Sequence, residues 1–183
     1  MSEELDSKTK LEIYKVVLTR YKDLINEKES QSISEIRQKM TPYTDTVRKI
    51  RDELTSEIIG YSYEHDFLQA AQRAMAYVRK IKTCEFAFTF FMDFPQMDKL
   101  KVGTAMDKAM FFATILRALG SENACVLVTK KDKSYVKFTF EKEYIFVPDT
   151  GSLLLGEDTM NLFTEDKVSY SFNDLVYENL DDL

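Results

Sequence analysis

The sequence predicts an α+β protein in which a central, buried helix packs against a small antiparallel sheet, with a helical hairpin at the amino-terminal end. Apolar residues recur every three or four positions from residue 8 to residue 81, which is typical of amphipathic helices. Residues 106–119 are apolar on most sides and end at Gly120, so they predict the central helix. The three runs that follow are rich in β-branched and aromatic residues and predict a meander of short strands.

The hairpin is predicted from two apolar runs, and we assign it to an extension spanning residues 1–60. The first run places five residues on one helical face: Leu11, Tyr14, Leu18, Tyr21 and Ile25. The second run extends from residue 33 to Gly60 and contains Pro42. Two helices that meet at Pro42, with Thr41 as the N-cap, and one kinked helix both fit this pattern.

The remaining residues, 61–183, are predicted to form one domain. A third helix is expected over residues 64–81, with small residues that allow close packing. The aromatic stretch before Pro95 fits a strand or a packed connection. Near the carboxyl end, residues 168–172 predict a strand and residues 173–180 a short helix.

Composition excludes several classes of protein. A hydrophobic content of 44% is enough for one substantial core. No run approaches the roughly 20 apolar residues of a membrane span, and the charged start lacks a signal region, so we expect a soluble, cytoplasmic protein. Cys84 and Cys125 have neither the spacing of a zinc site nor that of a disulfide framework. We expect no cofactor and no metal.

The charge distribution disfavours nucleic acid as a partner. Residues 141–183 contain 11 Asp and Glu against only Lys142 and Lys167, so this region would repel phosphates. Residues 61–140 are mildly basic, with 12 Lys and Arg against 8 Asp and Glu. The run from Arg73 to Lys82 therefore leaves weak nucleic-acid or anion binding as an alternative, although a solvated helix face explains it more simply.

One segment carries a family resemblance. Residues 95–120 read PQMDKLKVGTAMDKAMFFATILRALG, with a proline eight positions before a glycine and a helix that ends in Leu-Arg-Ala-Leu-Gly. This segment resembles the transglutaminase-like superfamily, whose fold is related to that of papain-like cysteine proteases, and the resemblance covers residues 64–150. The matching residues are Pro95, Gly103, Asp107, Ala109, Leu116, Arg117, Ala118, Leu119 and Gly120.

The resemblance also implies which residues occupy the family's catalytic positions. A cysteine thiolate at the start of the buried helix is the family's nucleophile, and Ala105 stands there. Ser134 aligns with the histidine, and Asp149 aligns with the third triad residue. The resemblance therefore implies a degenerate member that is not an enzyme. Its cleft, which could bind a peptide, would be lined by Ala105, Asp107, Tyr135 and Asp149.

We therefore expect a non-catalytic interaction module whose partner is a protein, a peptide or a second copy of the chain. The hairpin is the expected surface, because two isolated helices cannot cover their own apolar stripes. The predicted interface residues are Leu11, Leu18, Tyr21, Ile36, Tyr43 and Ile50. The hairpin could instead pack on the chain's own core. An enzyme of unrecognised mechanism remains the alternative function.

Overall fold

The computed structural model describes residues 6–29, 31–85, 91–155 and 157–180. The helices of these segments are α1 (Ser7–Glu29), α2 (Ile33–Lys39), α3 (Asp45–Thr55), α4 (Tyr63–Arg79), α5 (Phe94–Leu100), α6 (Ala105–Ala118) and α7 (Glu157–Leu162). The strands are β1 (Lys82–Thr83), β2 (Val102–Gly103), β3 (Cys125–Thr129), β4 (Ser134–Phe140), β5 (Lys142–Val147), β6 (Ser152–Leu155), β7 (Val168–Phe172) and β8 (Tyr177–Asn179).

Six of these strands form one antiparallel sheet. Their order is β6-β5-β4-β3-β7-β8, so the predicted meander of β3, β4 and β5 lies at its centre. Strands β1 and β2 form a separate, parallel pair. The predicted α+β class, with a buried helix on an antiparallel sheet, is confirmed.

Helix α6 is the centre of the core. Residues 107–116 are all buried, because α3 and α4 cover one side of the helix and the sheet covers the other. The Phe112 ring packs against Phe146 of β5, with 4.5 Å between ring centroids. Phe111 packs against Phe94 of α5 at 4.8 Å. Both faces of α6 therefore contribute aromatic side chains to the core, as its apolar sequence predicts.

The segment around Pro42 forms two helices rather than one kinked helix. The N-cap of α3 is Thr44 and not the predicted Thr41, because the Thr44 hydroxyl accepts the Val47 N–H at 3.4 Å. Ile36 and Ile50 are buried in the main core, which corrects their assignment to an interface. A periodic stripe identifies the buried face of a helix but not the surface that covers it.

Helix α1 differs from every other long helix, because residues 7–25 contain no buried side chain. Eight of its large apolar residues are between 37% and 66% exposed. Tyr43, also predicted at the interface, is 70% exposed. It lies outside α1, in the connection between α2 and α3. Within the described residues, no helix combines the length and the apolar character that crossing a bilayer requires.

The short helix predicted for residues 173–180 is wrong, because this segment turns and forms β8. The Asn173 side chain accepts the N–H groups of Leu175 and Val176, both at 2.8 Å, and so closes the turn after β7. Arg117 at the end of α6 forms a two-bond ion pair with Asp174 at 2.7 and 3.3 Å. Residues 86–90 of the predicted aromatic strand or connection lie outside the described residues.

We predict that Phe112→Ala lowers the free energy of unfolding by about 3–5 kcal/mol, because it removes a ring from the centre of the core and leaves a cavity. Urea denaturation monitored by circular dichroism measures this change. Ile59→Ala is the control, since Ile59 is 100% exposed and should change stability by less than about 0.5 kcal/mol. Equal effects of the two substitutions would contradict the central position of Phe112.

Candidate functional site

The first turn of α6 is held by a reciprocal capping motif. Thr104 is the N-cap, and its hydroxyl accepts the Asp107 N–H at 3.1 Å, while the Asp107 carboxylate accepts the Thr104 N–H at 2.9 Å. The other carboxylate oxygen accepts the Met92 N–H at 3.1 Å and so ties the chain before α5 to α6. Burial raises the pKa of Asp107. Asp107 is therefore a structural residue at the start of the helix.

A buried lysine directly follows Asp107 in α6. Lys108 is only 4% exposed, and its Nζ donates a hydrogen bond to the Thr83 Oγ1 at 2.8 Å. Thr83 is positioned by the parallel pair, in which it lies opposite Gly103, just before α6 begins. Burial lowers the pKa of Lys108, and the charge of Asp149 acts in the opposite direction. The amine of a buried lysine and the hydroxyl of an exposed threonine thus meet at this end of the helix.

Three predicted site residues lie around this end of α6. Ala105 is the first residue of the helix, and it shares the sheet-facing side of α6 with Phe112, seven residues on. Ser134 begins β4 and is buried on the face that Val136 presents to the same core. Asp149 is exposed two residues after β5 ends, close enough to Lys108 to affect its pKa. Their predicted alignment with a triad stays a prediction.

Tyr135 lies on the opposite face of β4 from Ser134, and its predicted place in the cleft stays a prediction. Successive residues of a strand point to opposite faces, so Tyr135 faces away from α6 when Ser134 faces toward it. The Tyr135 ring packs edge to face on Phe163 at 5.3 Å, in a second apolar cluster with Leu127 and Ile145. Burial also raises the pKa of Tyr135.

Other chemically active residues lie apart or are already paired. His65 is near the start of α4 and Cys84 follows its end, so a helix of about 25 Å separates them. In the basic run, Arg73 pairs with Glu57, and Arg79 donates to the Gly151 carbonyl at 2.6 Å. Among the described residues, no cluster of three or more His, Cys, Asp or Glu could hold a metal ion.

Sequence reasoning missed Thr83 and Lys108. A lysine within the apolar run of α6 was the available signal, because a buried ammonium group needs a polar partner. The partner could not be identified from the sequence. Thr83 reaches Lys108 only because β1 pairs with β2, across 25 residues of chain.

Comparisons with known proteins support the fold. No protein-family model matches the sequence. No curated protein matches it significantly. The structure is similar to that of Legionella pneumophila LapG, at 15% sequence identity and a TM-score of 0.51, over 82% of this chain and 88% of LapG. The calcium-bound form of LapG gives 14% identity and a TM-score of 0.52 over the same shares of the two chains.

These similarities correct one expectation. LapG is a cysteine protease of the transglutaminase-like fold, so the fold found here is one that holds an enzyme. The expectation that this chain is not an enzyme, which rested on Ala105 and Ser134, is contradicted by this finding. A likeness at 15% identity shows the fold alone. The predicted cytoplasmic location of this chain stays a prediction.

We predict that Asp107→Ala lowers the free energy of unfolding by about 1–3 kcal/mol, because the N–H groups of Met92, which is buried, and Thr104, which is half-buried, lose their acceptor. Chemical denaturation at neutral pH measures the loss. The control is Asp52→Ala, since the Asp52 carboxylate pairs with Arg51 at the surface and such pairs contribute little. A loss no larger than that of the control would contradict the capping role.

The pH dependence gives a second measure of the same group. Because the folded-state pKa of Asp107 is raised, protonation of its carboxyl adds stability that is fully present below the unfolded pKa of 3.8 and is lost as pH rises through the folded pKa, while the hydrogen bonds that the carboxylate accepts remain. Wild-type protein should therefore lose stability relative to Asp107→Asn across that window. A constant difference between the two proteins at all pH values would refute the shift.

Proposed function

We propose that this chain is a protein-interaction module that pairs with a second copy of itself through α1. The observation that carries the proposal is the exposed apolar surface of α1. Leu11, Tyr14 and Tyr21 are 52%, 62% and 48% exposed, and all three belong to the stripe predicted from the sequence. Large apolar side chains gathered on one exposed surface are typical of interaction sites.

The helix itself needs a partner. Most helical stability in proteins comes from packing an apolar face rather than from intrinsic propensity. The side chains of residues 7–25 are not buried by the rest of the chain. Pairing of α1 with another surface would supply that burial.

The spacing of the stripe favours a second copy as the partner. Leu11, Tyr14, Leu18, Tyr21 and Ile25 alternate at steps of three and four, which is the repeat of a coiled-coil seam. At about 35 Å, α1 is long enough for two such seams to meet along most of their length. Identical seams are self-complementary, so a two-fold pair covers both at once.

The helix dipoles favour an antiparallel arrangement, because it places the opposite ends of the two dipoles together. Pairing through α1 is independent of any chemistry at the start of α6.

We predict that Leu18→Glu converts a dimer into a folded monomer, because a carboxylate buried in an apolar seam costs several kcal/mol. Light scattering across a range of concentrations measures the mass. Thr19→Glu is the matched control, since Thr19 is exposed on the polar side of α1 and adds the same charge. A wild-type monomer at all concentrations, or equal dissociation by both substitutions, would overturn the proposal.

Removal of residues 1–30 should give a monomer with an unchanged thermal midpoint, because the main core begins at Ile36 and α1 contributes no buried residue to it. Light scattering and thermal unfolding monitored by circular dichroism at a low protein concentration measure the two properties. A shortened protein that unfolds or aggregates would indicate that α1 packs on its own chain.

A further inference from the structure

We propose that Thr83 and Lys108 form a catalytic pair for acyl transfer, with the Thr83 hydroxyl as nucleophile and the Lys108 amine as general base. The substrate class is an ester or amide whose acyl group is transferred first to Thr83 and then to water. This activity goes beyond the proposed pairing through α1 and is independent of it.

The geometry fits a nucleophile and its base. The distance of 2.8 Å between Lys108 Nζ and Thr83 Oγ1 is within the hydrogen-bond reach that proton transfer requires. Thr83 is exposed, so an acyl group can approach its hydroxyl. Lys108 is 4% exposed, so its amine approaches from within the protein. The pair thus has an open side for the substrate and a buried side for the base.

The surroundings of Lys108 favour the neutral amine that a general base needs. A buried ammonium group loses hydration, and this loss lowers the pKa of Lys108. Asp149 acts against this effect through its negative charge. Asp149 is therefore a positioning residue that tunes the base, and among the described residues it is the group whose charge acts on Lys108.

The start of α6 supplies donors for the negative charge that forms on the acyl oxygen. The first N–H groups of a helix have no acceptor within the helix. Thr104 accepts those of Asp107 and Lys108, which leaves the N–H groups of Ala105 and Met106 outside the capping motif. Gly103 is the strand partner of Thr83, and Ala105 and Met106 come two and three residues after it in the chain. Such donors stabilise an oxyanion.

The reaction balances with water as the co-reactant. The Thr83 oxygen bonds to the carbonyl carbon while its proton moves to the Lys108 nitrogen, and the carbonyl electron pair moves to oxygen. The carbonyl then re-forms, the bond to the leaving group breaks, and Lys108 returns the proton to the departing alcohol or amine. Water attacks the acyl-Thr83 ester and gives its proton to Lys108, which then protonates the Thr83 oxygen as the acid leaves.

The test uses the full chain and p-nitrophenyl acetate. The release of p-nitrophenol measures acetyl transfer. Peptide mass mapping before and after treatment with hydroxylamine detects the acetyl ester on Thr83, because hydroxylamine cleaves esters but not the amides of acetylated lysines. Thr83→Ala and Lys108→Met should each lower the rate by about 100-fold or more. Thr83→Ser should retain activity. Thr139→Ala and Lys99→Met are matched controls, since both residues are exposed and should leave the rate unchanged.

The pH profile separates a catalytic base from a structural lysine. The rate should rise with pH as Lys108 loses its proton, and Asp149→Asn should move this rise to lower pH, because it removes the charge that raises the pKa of Lys108. Circular dichroism confirms that each variant is folded. Absence of an acetyl ester on Thr83, an unchanged rate in folded Lys108→Met, or an unmoved profile in Asp149→Asn would each overturn the proposal.

Discussion

The burial of α6 on all sides is the constraint on which the rest of the structure depends. A helix with apolar residues on most of its surface must be covered by more than one element. The sheet covers one side of α6, where Phe112 packs against Phe146, and α3 and α4 cover the other side. Because α6 occupies the centre, the polar groups of its buried residues must find partners within the protein. Asp107 closes the first turn, and Lys108 is drawn into the interior beside it.

Much of the fold could be predicted because its main elements have a strong local signal. The stripe of α4 and the apolar run of α6 specify helices wherever they pack, and β3, β4 and β5 are rich in strand-forming residues. The segment that forms β8 lacks such a signal. Its conformation follows from the Asn173 turn and from pairing with β7, so it depends on contacts outside the segment.

The candidate site was predictable only in part, for a related reason. Helical position places Ala105 and Asp107 at the start of α6, and the sequence is sufficient for that. The face of β4 that Tyr135 occupies depends on a single residue of alternation, which the sequence pattern does not fix. The contact between Thr83 and Lys108 depends on a short parallel pair that no local pattern indicates. Local periodicity thus specifies elements well and contacts between distant residues poorly.

The contacts that Asn173 and Asp174 make in the turn after β7 have a consequence for the order of events during protein synthesis. Arg37 in α2 donates to the carbonyl of Asn173, 136 residues later, and Asp174 holds Arg117. Strand β3 likewise pairs with β7 on one side. A nascent chain therefore cannot complete these contacts until β7 and the turn after it have left the ribosome. Until then the edge of β3 that β7 covers is open to pairing with other chains.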